Sequence, residues 1–328
     1  MSVMNIRRPI STATLAGVSV LGLLALSACS PSGGARTEDG KLKVTASFYP
    51  MEFLARQIGG KHVEVTDLTK PGVEPHDLEL SPQQTAQLGE SGAIIYLKGL
   101  QPAVDDAVEQ SGVKNVADAA SLTSLEEHGT EVDGHHHTTG DNHSDSESEH
   151  SESEGGKDPH VWLDPVKYAE VAKGVNKTLA KADPKHKADY QKNTDALVEK
   201  LDGLNTEFKD GLKKRKSDTF LTTHAAFGYL AERYGLTEEA ISGLDPESEP
   251  SAKRIRDLHT LAKDHHVSTV FFETIANPAT AKALAGDLHL KTDVLDPLEG
   301  INAKSRGKDY FGVQRANLAA LQKALGSK

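Results

Sequence analysis

Beyond Lys41 the chain alternates between two apolar rhythms. "KLKVTASF" and "HVEVTDLT" have the alternation of half-buried strands. "YPMEFLARQIGG" reads as a helix, with Pro50 near its start and Gly59 at its stop. "SPQQTAQLGES" predicts a short helix with Ser81 as cap and Pro82 in its first turn. "AIIYL" is a continuous apolar run, as in a buried parallel strand. A helix around Pro102–Gln110 and a short strand, "VKNVAD", follow. Strands alternating with helices indicate a doubly wound α/β layer, here over residues 41–182.

The rhythm fails between Ser124 and Lys157, where Asp, Glu, Ser, Gly and His leave almost nothing apolar to bury. Such a stretch cannot order itself, so it reads as a mobile acidic insertion of about residues 124–157. After it, "VKYAEVAKGVNKTLAKA" is helical. Leu197, Leu201, Leu204, Phe208 and Leu212 then step along one helix face. If that helix runs unbroken over residues 183–216, it is roughly 45–50 Å long and bridges two lobes. The alternative is an ordinary pair of helices broken at Gly203.

A second α/β series occupies residues 217–328. Its strands are "TFLTTH", "VSTVFFET" and "KTDVLD". Its helices are "AAFGYLAERYG", "PSAKRIRDLHTLAKDHH" with Ser251 near the start, "NPATAKALAGDL" and "YFGVQRANLAALQKAL". The fold expected is α/β: two doubly wound lobes joined by one long helix, with a cleft between them.

The N-terminus follows different rules. Arg7 and Arg8 precede an apolar core from Leu15 to Leu26 that is too short for a permanent span, so residues 1–28 read as an export signal. "LSAC" resembles a bacterial lipobox and makes Cys29, the sole cysteine, the predicted lipidation site. Residues 29–40 read as a flexible tether. The mature chain then has no thiol left for a disulfide or a Cys-ligated metal. A formal net charge of −11 argues against nucleic acid as a partner and favours cations.

The chain has no G-x-S-x-G, G-x-G-x-x-G, P-loop or H-E-x-x-H string, which leaves fifteen histidines to be sorted. Three occupy comparable places: His76 in the loop after the second strand, His160 before a helix in "DPHVWLDP", and His224 closing "TFLTTH". Asp296 ends the last strand in "KTDVLDPLEG". Ligands of open α/β sheets bind beyond strand carboxyl ends, and three imidazoles with a carboxylate suit a borderline divalent cation. Taken alone, His76 is also readable as a loop histidine bonded to backbone, and Asp296 as a turn residue before Pro297. Asp77 and Glu79 are candidates to orient His76, Glu74 is a weaker fourth ligand, and Glu273 reads as a structural carboxylate. Trp162 is expected to pack behind His160. His265 and His266 at a helix end read as structural, and His62, His186, His259 and His289 lack ligand context.

The strings "PGVEPHDLELSP", "DPHVWLDP", "TTHAAFGYLAERYGL", "EPSAKRIRDL", "VFFET" and "VLDPLEG" come in an order that resembles the cluster A-I (cluster 9) metal-binding lipoproteins serving ABC importers of zinc or manganese. The resemblance covers the chain from about Lys41. It implies metal ligands at His76, His160, His224 and Asp296, two lobes on one long helix, and a His-rich acidic loop between the first two ligands. Three histidines with one carboxylate go with zinc in that family. The chain lacks the disulfide found in some zinc members.

The expected protein is therefore a non-enzymatic, extracytoplasmic zinc carrier, anchored to the cell membrane through Cys29 and acting as a monomer. It would deliver Zn2+ to an ABC permease and its ATPase. His128, His135, His136, His137, His143 and His150 are expected to be weaker, accessory metal sites. The rivals are a manganese or iron carrier, a surface metal buffer or adhesin, and a secreted zinc hydrolase with an open fourth position.

Overall fold

The computed structural model describes residues 34–129 and 157–327. In the first half, β1 (Leu42–Ala46), β2 (Val63–Asp67), β3 (Ala93–Tyr96) and β4 (Val116–Asp118) form a parallel sheet of order β2-β1-β3-β4. The connections carry α1 (Tyr49–Gly59), α2 (Pro82–Gly89) and α3 (Pro102–Gln110), and α4 (Ala119–Leu122) follows β4. All four residues of β3 are buried, as its unbroken apolar run requires. Ser81 caps α2 in a reciprocal capping box with Gln84, as its place before Pro82 predicts.

The second sheet repeats the order, β6-β5-β7-β8, again all parallel. It comprises β5 (Thr219–Thr222), β6 (Thr237–Ala240), β7 (Thr269–Phe272) and β8 (Lys291–Val294). Its helices are α7 (Gly228–Tyr234), α8 (Ala252–Asp264), α9 (Ala279–Leu288) and α10 (Tyr310–Leu325). Strand β6 is absent from the sequence-based reading. Its segment, "TEEA", is polar because its glutamates serve partners beside the edge strand: Glu238 accepts from Thr222 Oγ1 and Phe227 N, and Glu239 pairs with Arg254.

Between the lobes run α5 (Pro165–Ala182) and α6 (Lys187–Gly211). The long helix is shorter than expected: its 25 residues span about 37 Å. At its start, Pro184–His186 form a separate 3-10 turn, and Asp183 does not cap α6. The Asp183 carboxyl instead accepts from Arg36, His186 and Tyr190. At its end the chain turns so that Lys216 and Ser217 donate to Leu325 O of α10. Gly203 does not break the helix. Leu197, Leu201, Leu204 and Phe208 form the buried stripe, and Phe208 stacks on Tyr234 at 5.2 Å.

One hydrophobic core runs through both lobes, from β1 and α1 across Trp162, Tyr168 and α6 to β5 and α10. Smaller clusters fill the outer layer of each lobe. Hydrogen bonds reinforce the seam, for Trp162 Nε1 donates to Pro297 O and Tyr310 Oη to Trp162 O, each at 2.7 Å.

Part of the expected tether is folded: Arg36 bridges Leu42 and ion-pairs with Asp183 at 2.9 Å. Among the described residues no helix is long and apolar enough to cross a membrane. The export signal, Cys29, and His135, His136, His137, His143 and His150 lie outside the described residues.

Candidate metal centre

His76, His160, His224 and Glu299 converge, with one donor atom of each lying within 4.8 Å of all the others. Each sits on a loop leaving the carboxyl end of a sheet or the turn before a helix. His76 follows β2, His160 precedes a 3-10 turn leading into α5, His224 lies two residues beyond β5, and Glu299 lies beyond β8. The loop bearing His224 is held by Thr222 Oγ1, which donates to His224 O at 2.9 Å. It is also held by Glu238, which accepts from Phe227 N at the same distance.

The separations carry chemical information. Glu299 Oε1 is 3.2 Å from His76 Nε2, 3.3 Å from His160 Nε2 and 3.4 Å from His224 Nε2. The Nε2 atoms of His160 and His224 are 3.4 Å apart. A tetrahedron whose centre lies 2.0–2.1 Å from each corner has edges of about 3.3 Å. Four of the six donor separations thus match a four-coordinate site for a zinc-sized ion, and the two from His76 to the other imidazoles lie within 4.8 Å.

The far side of two rings is fixed by carboxylates. His160 Nδ1 donates to Asp158 Oδ1 at 2.7 Å, and its backbone N donates to the same oxygen at 2.9 Å. His224 Nδ1 donates to Glu273 Oε1 at 2.6 Å, which also accepts from Thr223. A proton on Nδ1 leaves the Nε2 lone pair pointing at the centre, the arrangement typical of metal-bound imidazoles. His76 is the least enclosed of the four at 12% side-chain exposure, against none for the others. Its backbone N donates to Glu74 Oε1 at 3.2 Å. Asp77 and Glu79 are exposed, so neither acts as the support expected for His76.

The electrostatics are those of a cation site carrying protons instead. Burial opposes charge on His160, but the Asp158 and Glu299 carboxylates outweigh it and hold the imidazole at about 9. His224 is likewise raised well above its ordinary value, burial being overcome by Glu273 and Glu299. Burial alone would raise Glu299, yet the three imidazoles hold it well below the carboxylate range. Glu74 is pushed up to about 8 by burial and then by the Glu299 charge. Glu299 Oε2 is buried without a partner, which leaves a second acceptor free for an ion.

Asp296, the carboxylate expected to ligate, is not in the cluster. Its Oδ1 accepts from Leu298 N at 2.9 Å and its Oδ2 from Thr274 Oγ1 at 3.1 Å. Leu298 has a φ of +61°, a left-handed conformation that is costly for leucine. The Asp296 side chain closes this turn, and the turn aims Glu299 inward. The string "DPLEG" held the signal: an Asp before Pro commonly spends its oxygen on the backbone two residues on, leaving the next carboxylate free.

His128 also departs from expectation. It is not a free loop ligand: Nδ1 lies 2.9 Å from Asp158 Oδ2 and Nε2 lies 3.2 Å from Glu232 Oε2. Burial opposes its charge, but Asp158 and then Glu232 prevail and raise its pKa. Trp162 packs beside His160 as expected, with ring centroids 5.2 Å apart. His62 and His186 stack at 3.8 Å on the first lobe, paired with Asp189 and Asp183.

Residues 44–324 match the family described as "ZnuA: Zinc-uptake complex component A periplasmic". The chain is 33% identical over 305 residues to the zinc-binding lipoprotein AdcA of Streptococcus pneumoniae, covering 91% of this chain. It spans only 58% of the length of that relative. It is also 33% identical over 320 residues to the high-affinity zinc uptake system protein ZnuA of Bacillus subtilis, covering 93% of this chain and 97% of the relative. The crystal structure of Zn(II)-bound AdcA from Streptococcus pneumoniae superposes with a TM-score of 0.70 at 32% identity, over 88% of this chain and 59% of the other.

Proposed function

This chain belongs to the family of periplasmic zinc-uptake components A, and we propose on that premise that it captures Zn2+ outside the cytoplasm and hands it to an ABC permease. The ligands are His76, His160, His224 and Glu299. The observation that carries the reading is the 3.2–3.4 Å spacing of Glu299 Oε1 from each Nε2 and of the His160 and His224 Nε2 atoms from one another. Imidazole with one carboxylate suits zinc better than calcium or magnesium, which prefer all-oxygen shells.

Four protein ligands close the coordination sphere and leave no place for an activated water, so the site stores an ion and performs no hydrolysis. Zinc is cargo. The ATPase of the importer supplies the work of transport. A lipid on Cys29 keeps the carrier at the membrane, and the histidines from His135 to His150 act as weaker, interchangeable sites that raise the local zinc concentration. The carrier acts as a monomer.

The test is competitive titration of the purified protein with a zinc chelator, alongside metal analysis. One tightly held zinc per chain, preferred over manganese and lost in His224→Ala, is the expected result. A tight site that survives His224→Ala, or a preference for manganese, overturns the assignment.

A further inference from the structure

His128 opens the His-rich stretch, yet both of its ring nitrogens are engaged by carboxylates, Asp158 at 2.9 Å and Glu232 at 3.2 Å. An imidazole so engaged has no lone pair to offer a metal. Its ring stands edge-on to Tyr229 at 4.6 Å. The first turn of α7 makes room for it, since a Cβ on Gly228 would come within 2.4 Å of His128 Cβ. The next residue, Gly129, has a φ of +72°, and a Cβ there would come within 2.6 Å of Ala225, the neighbour of His224.

The surrounding backbone is pinned too. Asp158 N donates to Glu126 O at 2.9 Å, and Tyr229 Oη donates to Asp158 O at 2.7 Å while accepting from Glu126 N at 2.8 Å. His128 is thus fixed at a junction of the two ligand-bearing loops.

We propose that His128 is a positioning residue for the metal site, holding the Asp158 carboxylate in the orientation that locks the His160 ring. The proposal rests on the zinc-site reading given above. Asp158 is wholly buried and has two oxygens to satisfy. Oδ1 serves the ring and backbone nitrogens of His160, and Oδ2 serves His128. Removing His128 leaves Oδ2 a buried anionic oxygen without a donor, which is strongly unfavourable. The carboxylate then gains by rotating towards a new donor, and rotation releases the restraint on His160. Loss of such a supporting partner lowers metal affinity by about 10–100-fold, and one step further out the low end applies.

The experiment measures zinc affinity by chelator competition for His128→Phe and His128→Gln, each in the native and the Asp158→Asn background. Urea unfolding of the metal-free forms is followed in parallel. Phe keeps the packing on Tyr229 without the hydrogen bond, whereas the Gln amide can still donate to Oδ2. His128→Phe should weaken zinc binding about tenfold, and His128→Gln should recover most of it. In Asp158→Asn protein the two His128 variants should bind zinc alike, because the effect passes through Asp158. The proposal is overturned if His128→Phe alters only unfolding, or if its effect on affinity is the same in both backgrounds. Failure of the native protein to bind zinc would indict the site assignment instead.

Discussion

The turn Asp296–Glu299 allows the roles of its two carboxylates to be separated by measurement. In the structure Glu299 faces the imidazoles, while Asp296 Oδ1 holds Leu298 N at 2.9 Å. A left-handed conformation costs a leucine roughly 1–2 kcal/mol, and a hydrogen bond to a charged acceptor returns about 1.5–3 kcal/mol. Asp296→Ala removes the return and keeps the cost. With every 1.4 kcal/mol worth a factor of ten, the equilibrium constant for holding Glu299 inward should fall about tenfold to a hundredfold, an upper limit on the loss of zinc affinity. Two anchors remain, Trp162 on Pro297 O and Asn317 on both backbone atoms of Asp296, so the lower figure is expected. Asp296→Asn retains a carbonyl oxygen for Leu298 N and should bind zinc nearly normally. Adding Leu298→Gly to Asp296→Ala should restore affinity several-fold, because glycine pays no penalty at positive φ. Glu299→Gln removes the anion itself and should weaken zinc by more than the roughly 100-fold ceiling for a supporting residue. Chelator competition on the four variants decides the matter. If Asp296→Asn is as damaging as Glu299→Gln, Asp296 is a ligand and the turn argument is wrong.

Two further outcomes follow from the same site. Trp162 is the sole tryptophan and its ring lies 5.2 Å from that of His160, so zinc titration should change its emission with a single-site profile, and His160→Ala should abolish the change. For pH, the folded-state value of His160 is about 9 against an ordinary 6.5. The stability it gives the metal-free protein is full below pH 6.5 and lost as pH rises through 9. Zinc needs the neutral ring, so its stabilisation should grow over the same interval. Thermal melts with and without zinc should diverge as pH rises, and parallel curves would refute this.

Much of the fold is legible because its elements have long, unmixed signals. The α10 stretch, capped by Asp309, and the Pro102–Gln110 helix, opened by its proline, emerge as read because apolar spacing and start signals agree. Strand β6 escapes because an edge strand carrying two glutamates looks like a loop. The overestimate of α6 has the same origin in tertiary structure: Lys216 and Ser217 could continue a helix, but docking on Leu325 O is better. At the site, His76 and His224 lie beyond strand ends, and His160 lies before a 3-10 turn that leads into a helix, as their sequence settings indicate. Asp296 is the carboxylate that strand-end position and the resemblance single out, but its oxygens serve Leu298 N and Thr274, and Glu299, three residues on, meets the imidazoles. His128 shows the converse, a histidine whose composition suggests a loop ligand and whose neighbours, a hundred residues away, make it part of the scaffold.

The hydrogen bond from Asp158 N to Glu126 O bears on how such a chain tolerates change. It brings the chain entering and leaving the His-rich segment together, so the scaffold supplies the closure whatever lies between. Doubling the length of a flexible loop then costs only about 0.6 kcal/mol. Inserted, deleted or foreign sequence between Gly129 and Lys157 should therefore leave folding almost untouched. The junction is a graft point, where a different chelating peptide, a fluorophore or an epitope can be installed beside the site without redesigning the protein that carries it.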